Sequence, residues 1–177
     1  MKEISLHLLD LIENSVAAGA GRVDLDVRED QAQDILRIVA IDDGRGIPAD
    51  MLRTATDPFT TTRDTRKVGL GLPLLAAAAE QAGGRFEVTS EPGTGTTVRV
   101  EFQLSHVDRA PLGRVEETLA TAAALHPTLD LRFRHSAVAG EYRVDTSVLR
   151  DAGGPAALLR RIRQLVQDGR ARIRSIA

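Results

Sequence analysis

Asp10 and Asn14 stand four residues apart in Leu8-Leu9-Asp10-Leu11-Ile12-Glu13-Asn14-Ser15, and Ile4, Leu8, Leu11, Ile12 and Val16 recur at helical spacing. On a helix that separation puts both polar side chains on one face, with His7 a turn earlier. An amide oxygen there suits Mg²⁺, a hard cation that takes oxygen ligands and usually keeps several waters beside phosphates. Further on, Asp42 ends the apolar run Leu36-Arg37-Ile38-Val39-Ala40-Ile41, so its carboxylate can sit at the mouth of a pocket. A carboxylate only accepts hydrogen bonds, which suits the exocyclic amine of adenine. Gly44 and Gly46 let the backbone turn sharply beside it.

Gly69-Leu70-Gly71-Leu72 precedes a long Leu- and Ala-rich segment with Pro73 in its first turn. Free N–H groups at the start of such a helix, and the positive end of its dipole, favour phosphate. A dinucleotide-binding glycine pattern is not met, because Leu74 takes the place of the third glycine. The Gly-x-x-x-x-Gly-Lys-Ser/Thr phosphate loop is absent. Before these glycines lies a polar stretch without period, containing Thr60, Thr61, Thr62, Arg63, Arg66 and Lys67, whose cations could meet a triphosphate. Each of these groups also has an ordinary reading: an amphipathic helix, an Asp-Gly turn, a solvated charged loop.

The elements that would position them follow from the pattern. The sequence predicts helices over Glu3–Ala18, Pro48–Leu52 and Leu70–Ala82, and strands over Gly21–Arg28, Ile35–Ile41, Arg85–Ser90 and Thr96–Leu104. The last two strands are joined by the turn Glu91-Pro92-Gly93-Thr94-Gly95. That order suits an α/β (α+β) two-layer sandwich, a mixed or antiparallel sheet covered on one face by helices. Residues 105–113, with Pro111 and Gly113, look like a linker. Beyond them a small α/β appendage, 114–177, is expected: a helix over Arg114–Leu125, strands over Leu129–His135 and Glu141–Asp145, and a helix over Pro155–Gln167. The alternating segment Arg170–Ile176 is expected as a further strand.

Four segments in fixed order, Leu8–Ser15, Asp42–Pro48, Lys67–Leu72 and Gly93–Thr97, resemble the N, G1, G2 and G3 boxes of the GHKL superfamily. That group includes histidine kinases, gyrase-type ATPases, Hsp90-type chaperones and mismatch-repair ATPases. The resemblance covers roughly residues 1–104 and implies the Bergerat-type ATP-binding fold with ATP and Mg²⁺ as ligands. It implies Asn14 as the metal ligand, Asp42, Gly44, Gly46 and Thr96 around adenine, and Gly69, Leu70, Gly71 and Leu72 at the phosphates. It also implies Thr60, Thr61, Thr62, Arg63, Arg66 and Lys67 in the ATP lid. Asp10 stands where hydrolysing relatives carry the general base, typically Glu. The stretch Ile12–Ala20 looks most like mismatch-repair ATPases, whereas Asp57–Arg63 and Lys67–Leu72 look like kinases.

At 177 residues the chain can bury one full core with a small appendage, and its net charge of -2 offers no bulk attraction to nucleic acid or an anionic membrane. Cysteine is absent, which excludes disulfides and thiolate metal sites. No apolar run approaches a membrane span and the start lacks a signal-peptide stretch, so a cytoplasmic location is expected. Residues 158–177 carry six arginines against Asp168 alone. With an aromatic content of 3% stacking platforms for nucleic acid are scarce, and an acidic protein partner is favoured instead. The expected function is an Mg-ATP-binding regulatory or coupling protein with slow ATPase or protein-kinase activity. The alternatives are an ATP-sensing binding module that is not an enzyme, and a serine kinase of the anti-sigma-factor type.

Overall fold

The computed structural model describes residues 3–55, 71–150 and 153–174. Thr60, Thr61, Thr62, Arg63, Arg66, Lys67, Gly69 and Leu70 lie outside the described residues.

Helix α1 spans Ile4–Ala17 and is followed by the antiparallel pair β1 (Arg22–Asp30) and β2 (Ile35–Asp42). The short helix α2 (Ala49–Ala55) and then α3 (Gly71–Gln81) lead to the hairpin β3 (Arg85–Glu91) and β4 (Gly95–Gln103). Helix α4 (Val115–Leu125), strands β5 (Asp130–Ala137) and β6 (Gly140–Asp145), the single turn α5 (Thr146–Leu149) and the long α6 (Pro155–Arg174) complete the chain. The six strands form one sheet in the order β3-β4-β2-β1-β5-β6. Only β1 and β5 run parallel, so the sheet is mixed, as the patterning predicts.

Period-two alternation decides which face is covered. Val23, Leu25 and Val27 of β1, Leu36 and Ile38 of β2, Val98, Val100 and Phe102 of β4, and Leu131 and Phe133 of β5 are all buried. They meet Leu8, Ile12, Leu75, Leu119, Ile162 and Val166 from the helices in one continuous apolar core. The alternate residues form a charged outer lattice, in which Glu101 accepts from both Arg37 (2.7 Å) and Arg85 (2.8 Å) and Arg134 pairs with Asp26. These pairs are partly exposed, so water screens them and they add little to stability.

Residues 114–177 extend the same sheet, because β5 joins β1 with Arg22 opposite Asp130 and Arg28 opposite Ser136. The stretch before them is tied to α1: Ile4 N–H donates to Pro111 (2.9 Å) and Ser5 N–H to Leu112 (2.9 Å). Helix α4 then lies along α1, with the Thr118 hydroxyl donating to the Ser5 carbonyl (3.1 Å).

One expected element differs. Arg170–Ile176 alternates like a strand, yet α6 continues through Arg174. The reason is the longer stripe Ile162, Val166, Gly169 and Ile173, at helical spacing and all buried, where Gly169 lies directly against the Tyr142 ring. Two of the arginines of this helix are engaged by α4. Arg163 forms a two-pronged pair with Glu117 (3.1 and 3.0 Å), and Arg170 reaches Glu116 (3.1 Å) and the Gly113 carbonyl (2.7 Å).

Candidate functional site

Antiparallel register builds the floor of the site. Asp42, the last residue of β2, lies opposite Thr96 of β4, which in turn lies opposite Ser90 of β3. One row across three strands therefore carries a carboxylate and two hydroxyls. Asp42 is held by three donors: the Ser15 hydroxyl to Oδ2 (2.9 Å), and the N–H groups of Gly44 (2.9 Å) and Thr96 (3.3 Å) to Oδ1. A carboxylate has about four acceptor positions. Oδ1 is used twice, and Oδ2 shares the single proton of the Ser15 hydroxyl with the Leu11 carbonyl (3.0 Å), so at least one acceptor position on Oδ2 is left for a donor in the cavity.

Ser90 organises the neighbouring hydroxyl. Its Oγ accepts from Ile47 N–H (2.8 Å) and donates to the Gly95 carbonyl (2.8 Å). Its only proton is thereby committed, and the 3.0 Å contact with Thr96 must be a bond that Thr96 donates. The Thr96 oxygen keeps its lone pairs for another partner, and Thr96 is buried.

Above this floor opens a cavity of about 770 Å³. Ala17 and Ala18 line it from the end of α1, Ala40 and Val98 from the sheet, Met51 from α2 and Leu72 from α3. Asn14 and Ser15 supply polar groups from α1, and Arg45 and Gly46 border it from the loop after β2. An apolar slot with a few placed polar groups is the usual form of a small-molecule site.

The glycines are required by close packing. Gly46 has φ +70°, and a Cβ there would lie 2.1 Å from the Glu91 carbonyl oxygen. On Gly44 a Cβ would meet the Ala18 Cβ at 2.9 Å. Gly71 stands at the start of α3 against the other side of the site, where a Cβ would fall 3.1 Å from Asp10 Cβ and 3.5 Å from Asn14 Nδ2. Gly71 and the expected Asp10–Asn14 face are thus neighbours, although separated by more than fifty residues.

Asp10 and Asn14 are both half-buried on α1. Burial, and then the charge of Glu13, push the Asp10 carboxyl above the ordinary carboxylate range. Glu13 itself turns outward to His126 at the end of α4 (2.8 Å). His7 is buried, with no hydrogen-bond partner for Nδ1, and burial lowers its pKa to about 4. Among the described residues no group of three or more His, Asp or Glu side chains forms a metal-ligand cluster.

Sequence reasoning brought Asp10, Asn14, Asp42, Gly44, Gly46, Gly71, Leu72 and Thr96 to one place, and all but Asp10, Gly44 and Gly71 line the cavity itself. It missed Ser15 and Ser90, which orient Asp42 and Thr96. For Ser15 the signal was its place one residue past Asn14, on the turn facing the strand end. For Ser90 the signal exists only in the pairing register.

The family model of histidine kinase-, DNA gyrase B- and HSP90-like ATPases matches residues 2–106. The chain belongs to that family. It is 36% identical over 89 residues to the sensor kinase CckA of Brucella abortus, which is 48% of this chain and 9% of that protein. It is 33% identical over 105 residues to the sensor protein kinase PilS of Pseudomonas aeruginosa (56% of this chain, 20% of that protein). Sporulation kinase A of Bacillus subtilis is 32% identical over 102 residues, covering 58% of this chain and 16% of that protein. The chain therefore spans no more than a fifth of the length of these relatives. A solved structure described as the N-terminal domain of a DNA repair protein superimposes with a TM-score of 0.54 at 13% identity, over 82% of this chain and 52% of that one. The fold is that of a GHKL-type ATP-binding domain.

Proposed function

We propose that this protein binds Mg-ATP in the cavity above Asp42 and uses it as a slow switch or phosphate donor in regulating a partner protein. The observation that carries the reading is the single free acceptor position on Asp42, set in an apolar slot beside the Thr96 hydroxyl. Adenine presents an amine that donates where guanine presents a carbonyl. Gly44 and Gly46 let the loop close on that slot.

Asn14 fits the metal role: with no group of three or more His, Asp or Glu side chains gathered among the described residues, a cation there would take its other ligands from phosphate and water, as Mg²⁺ does. Bound there, the metal would neutralise phosphate charge. The space that a Cβ on Gly71 would fill, next to Asp10 and Asn14, suits phosphate approaching the start of α3. Gly69, Leu70, Thr60, Thr61, Thr62, Arg63, Arg66 and Lys67 are proposed to complete that end as the lid.

Asp10 is the proposed general base for water. Its side chain is one methylene shorter than the Glu expected at that position, and a misplacement of ~1 Å can cost about 100-fold in rate. We therefore expect slow turnover. Residues 1–104 form the proposed nucleotide-binding unit, and residues 114–177 are proposed to face the protein partner. Among the described residues no helix is long and apolar enough to cross a membrane, and a cytoplasmic setting is proposed.

Incubation with γ-labelled ATP, alone and with proteins co-purified from native lysate, tests the reading. Phosphate release marks the switch, label on a partner serine marks the kinase, and binding with neither marks a sensor. Asn14→Ala should remove the Mg²⁺ dependence of binding, whereas Asp10→Asn should lower turnover and spare affinity. Binding that is indifferent to Mg²⁺ in the wild type would count against the metal assignment.

A further inference from the structure

The loop after β2 carries a cation that neither the fold nor the proposed chemistry uses. Arg45 lies between Gly44 and Gly46 and borders the mouth of the cavity. Its backbone is pinned on both sides: its N–H donates to the Ala18 carbonyl (2.9 Å), and its own carbonyl accepts from Gly93 N–H (2.8 Å). Its side chain is exposed and, among the described residues, has no ion-pair or hydrogen-bond partner. The two arginines of β1, by contrast, are paired, Arg22 with Asp24 and Arg28 with Asp30. An arginine on a fixed backbone, without a side-chain partner among the described residues and at the rim of a largely apolar slot, is a placed group.

Position along α1 says which part of a nucleotide it meets. Asp10 and Asn14 stand at the level of Gly71 and the start of α3, where phosphates belong. Arg45 is tied to Ala18, one helical turn beyond Asn14, or about 6 Å along the axis. That is the Asp42 end, because Gly44 touches both Ala18 and Asp42. Arg45 is the one cation lining the cavity among the described residues, in a mostly apolar wall whose polar groups are Asn14, Ser15, Asp42 and Thr96. A planar guanidinium beside such a slot is suited to stacking on the face of a flat heteroaromatic ring.

We propose that Arg45 is a base-recognition residue that stacks its guanidinium on the solvent-facing side of the adenine ring held by Asp42. This rests on the adenine reading of the cavity. The geometry separates it from a phosphate contact: an arginine over the base strengthens adenosine and ATP by the same factor, whereas one on the phosphates acts only when they are present.

The test is titration of the full chain and of Arg45→Ala with adenosine, AMP, ADP and ATP, by calorimetry or ligand-observed NMR. Arg45 is exposed, so the variant should keep the wild-type melting curve, which serves as the folding control. The expected result is a loss of about two- to fivefold, equal for all four ligands. In Arg45→Lys, which keeps the charge but loses the plane, most of that loss should persist. A loss that grows with each added phosphate, an unchanged affinity for adenosine, or full rescue by lysine would overturn the proposal. If the wild type binds neither adenosine nor ATP, the adenine reading itself fails, an outcome distinct from a wild type that binds and a variant that matches it.

Discussion

Two ends of one sheet carry similar chemistry and differ in whether it is finished. At the β1 end away from the cavity, His135 is buried, with Nδ1 3.1 Å from the Tyr142 hydroxyl and Nε2 2.9 Å from Glu29 Oε1. Phe133 packs against both rings, and Gly169 of α6 closes over Tyr142. At the other end Asp42, Thr96 and Ser90 also form a row of polar groups in an apolar setting, but Asp42 and Thr96 keep acceptor positions facing a cavity. The far end spends its polar atoms on the fold. The near end leaves some unspent, which costs stability unless a ligand supplies the partner. Unsatisfied acceptors over a cavity, more than the presence of Asp or Thr, distinguish the end proposed to bind nucleotide.

Breaking the closed end should give the largest effect on stability. His135→Ala removes a buried ring and the bonds it makes to Glu29 and Tyr142, so a loss of about 3–4 kcal/mol in urea unfolding is expected. Nucleotide affinity of the folded protein should not change. An affinity loss as large as the stability loss would mean that the two ends are not separate.

His7 sharpens the contrast, since it is as buried as His135 but lacks a partner for Nδ1. Its pKa falls from the ordinary 6.5 to about 4 because burial disfavours the cation. The unfolded chain then takes up a proton below about pH 6.5 that the folded protein refuses until about pH 4. The stability that neutral His7 contributes is present above 6.5 and lost as pH falls through 4, by roughly 3 kcal/mol. Chemical denaturation between pH 7 and 4 should show this limb, and His7→Leu should flatten it. An unchanged limb in that variant would assign the titration elsewhere.

The smallest stability effect is expected at the open end. Ser90→Ala leaves Ile47 N–H without its acceptor and frees Thr96 to turn, costing about 1–2 kcal/mol of stability. Affinity for ATP should fall as well, unlike in His135→Ala. Equal ATP affinity in Ser90→Ala and wild type would remove Thr96 from the recognition row.

Much of this contrast was legible in the residues. The alternation of Val23, Leu25 and Val27 and the helical recurrence of Leu8, Leu11 and Ile12 give the two layers directly, since each period has one cause. Asp42, Gly44 and Gly46 were legible because a strand end followed by glycines restricts what the backbone can do. Ser90 was not, because its role depends on which residue of β4 lies opposite it, and pairing register is set by the whole sheet. Arg170–Ile176 reads as a strand because its alternation is local, whereas the helix is set by the longer buried stripe that includes Leu158, Ile162 and Val166. The joining of β5 to β1 was out of reach for a related reason: a parallel partner more than a hundred residues away leaves no local pattern.

The central claim is that Asp42 holds one unused acceptor position for the amine of adenine, and calorimetric titration with ATP and GTP tests it most directly. Wild-type protein should bind ATP and prefer it to GTP. Asp42→Asn keeps the shape but adds a donor and removes the charge, so it should weaken ATP by about 1.5–3 kcal/mol, roughly 10- to 100-fold. Equal affinity of the wild type for ATP and GTP, or an Asp42→Asn variant that binds ATP as tightly as wild type, would contradict it.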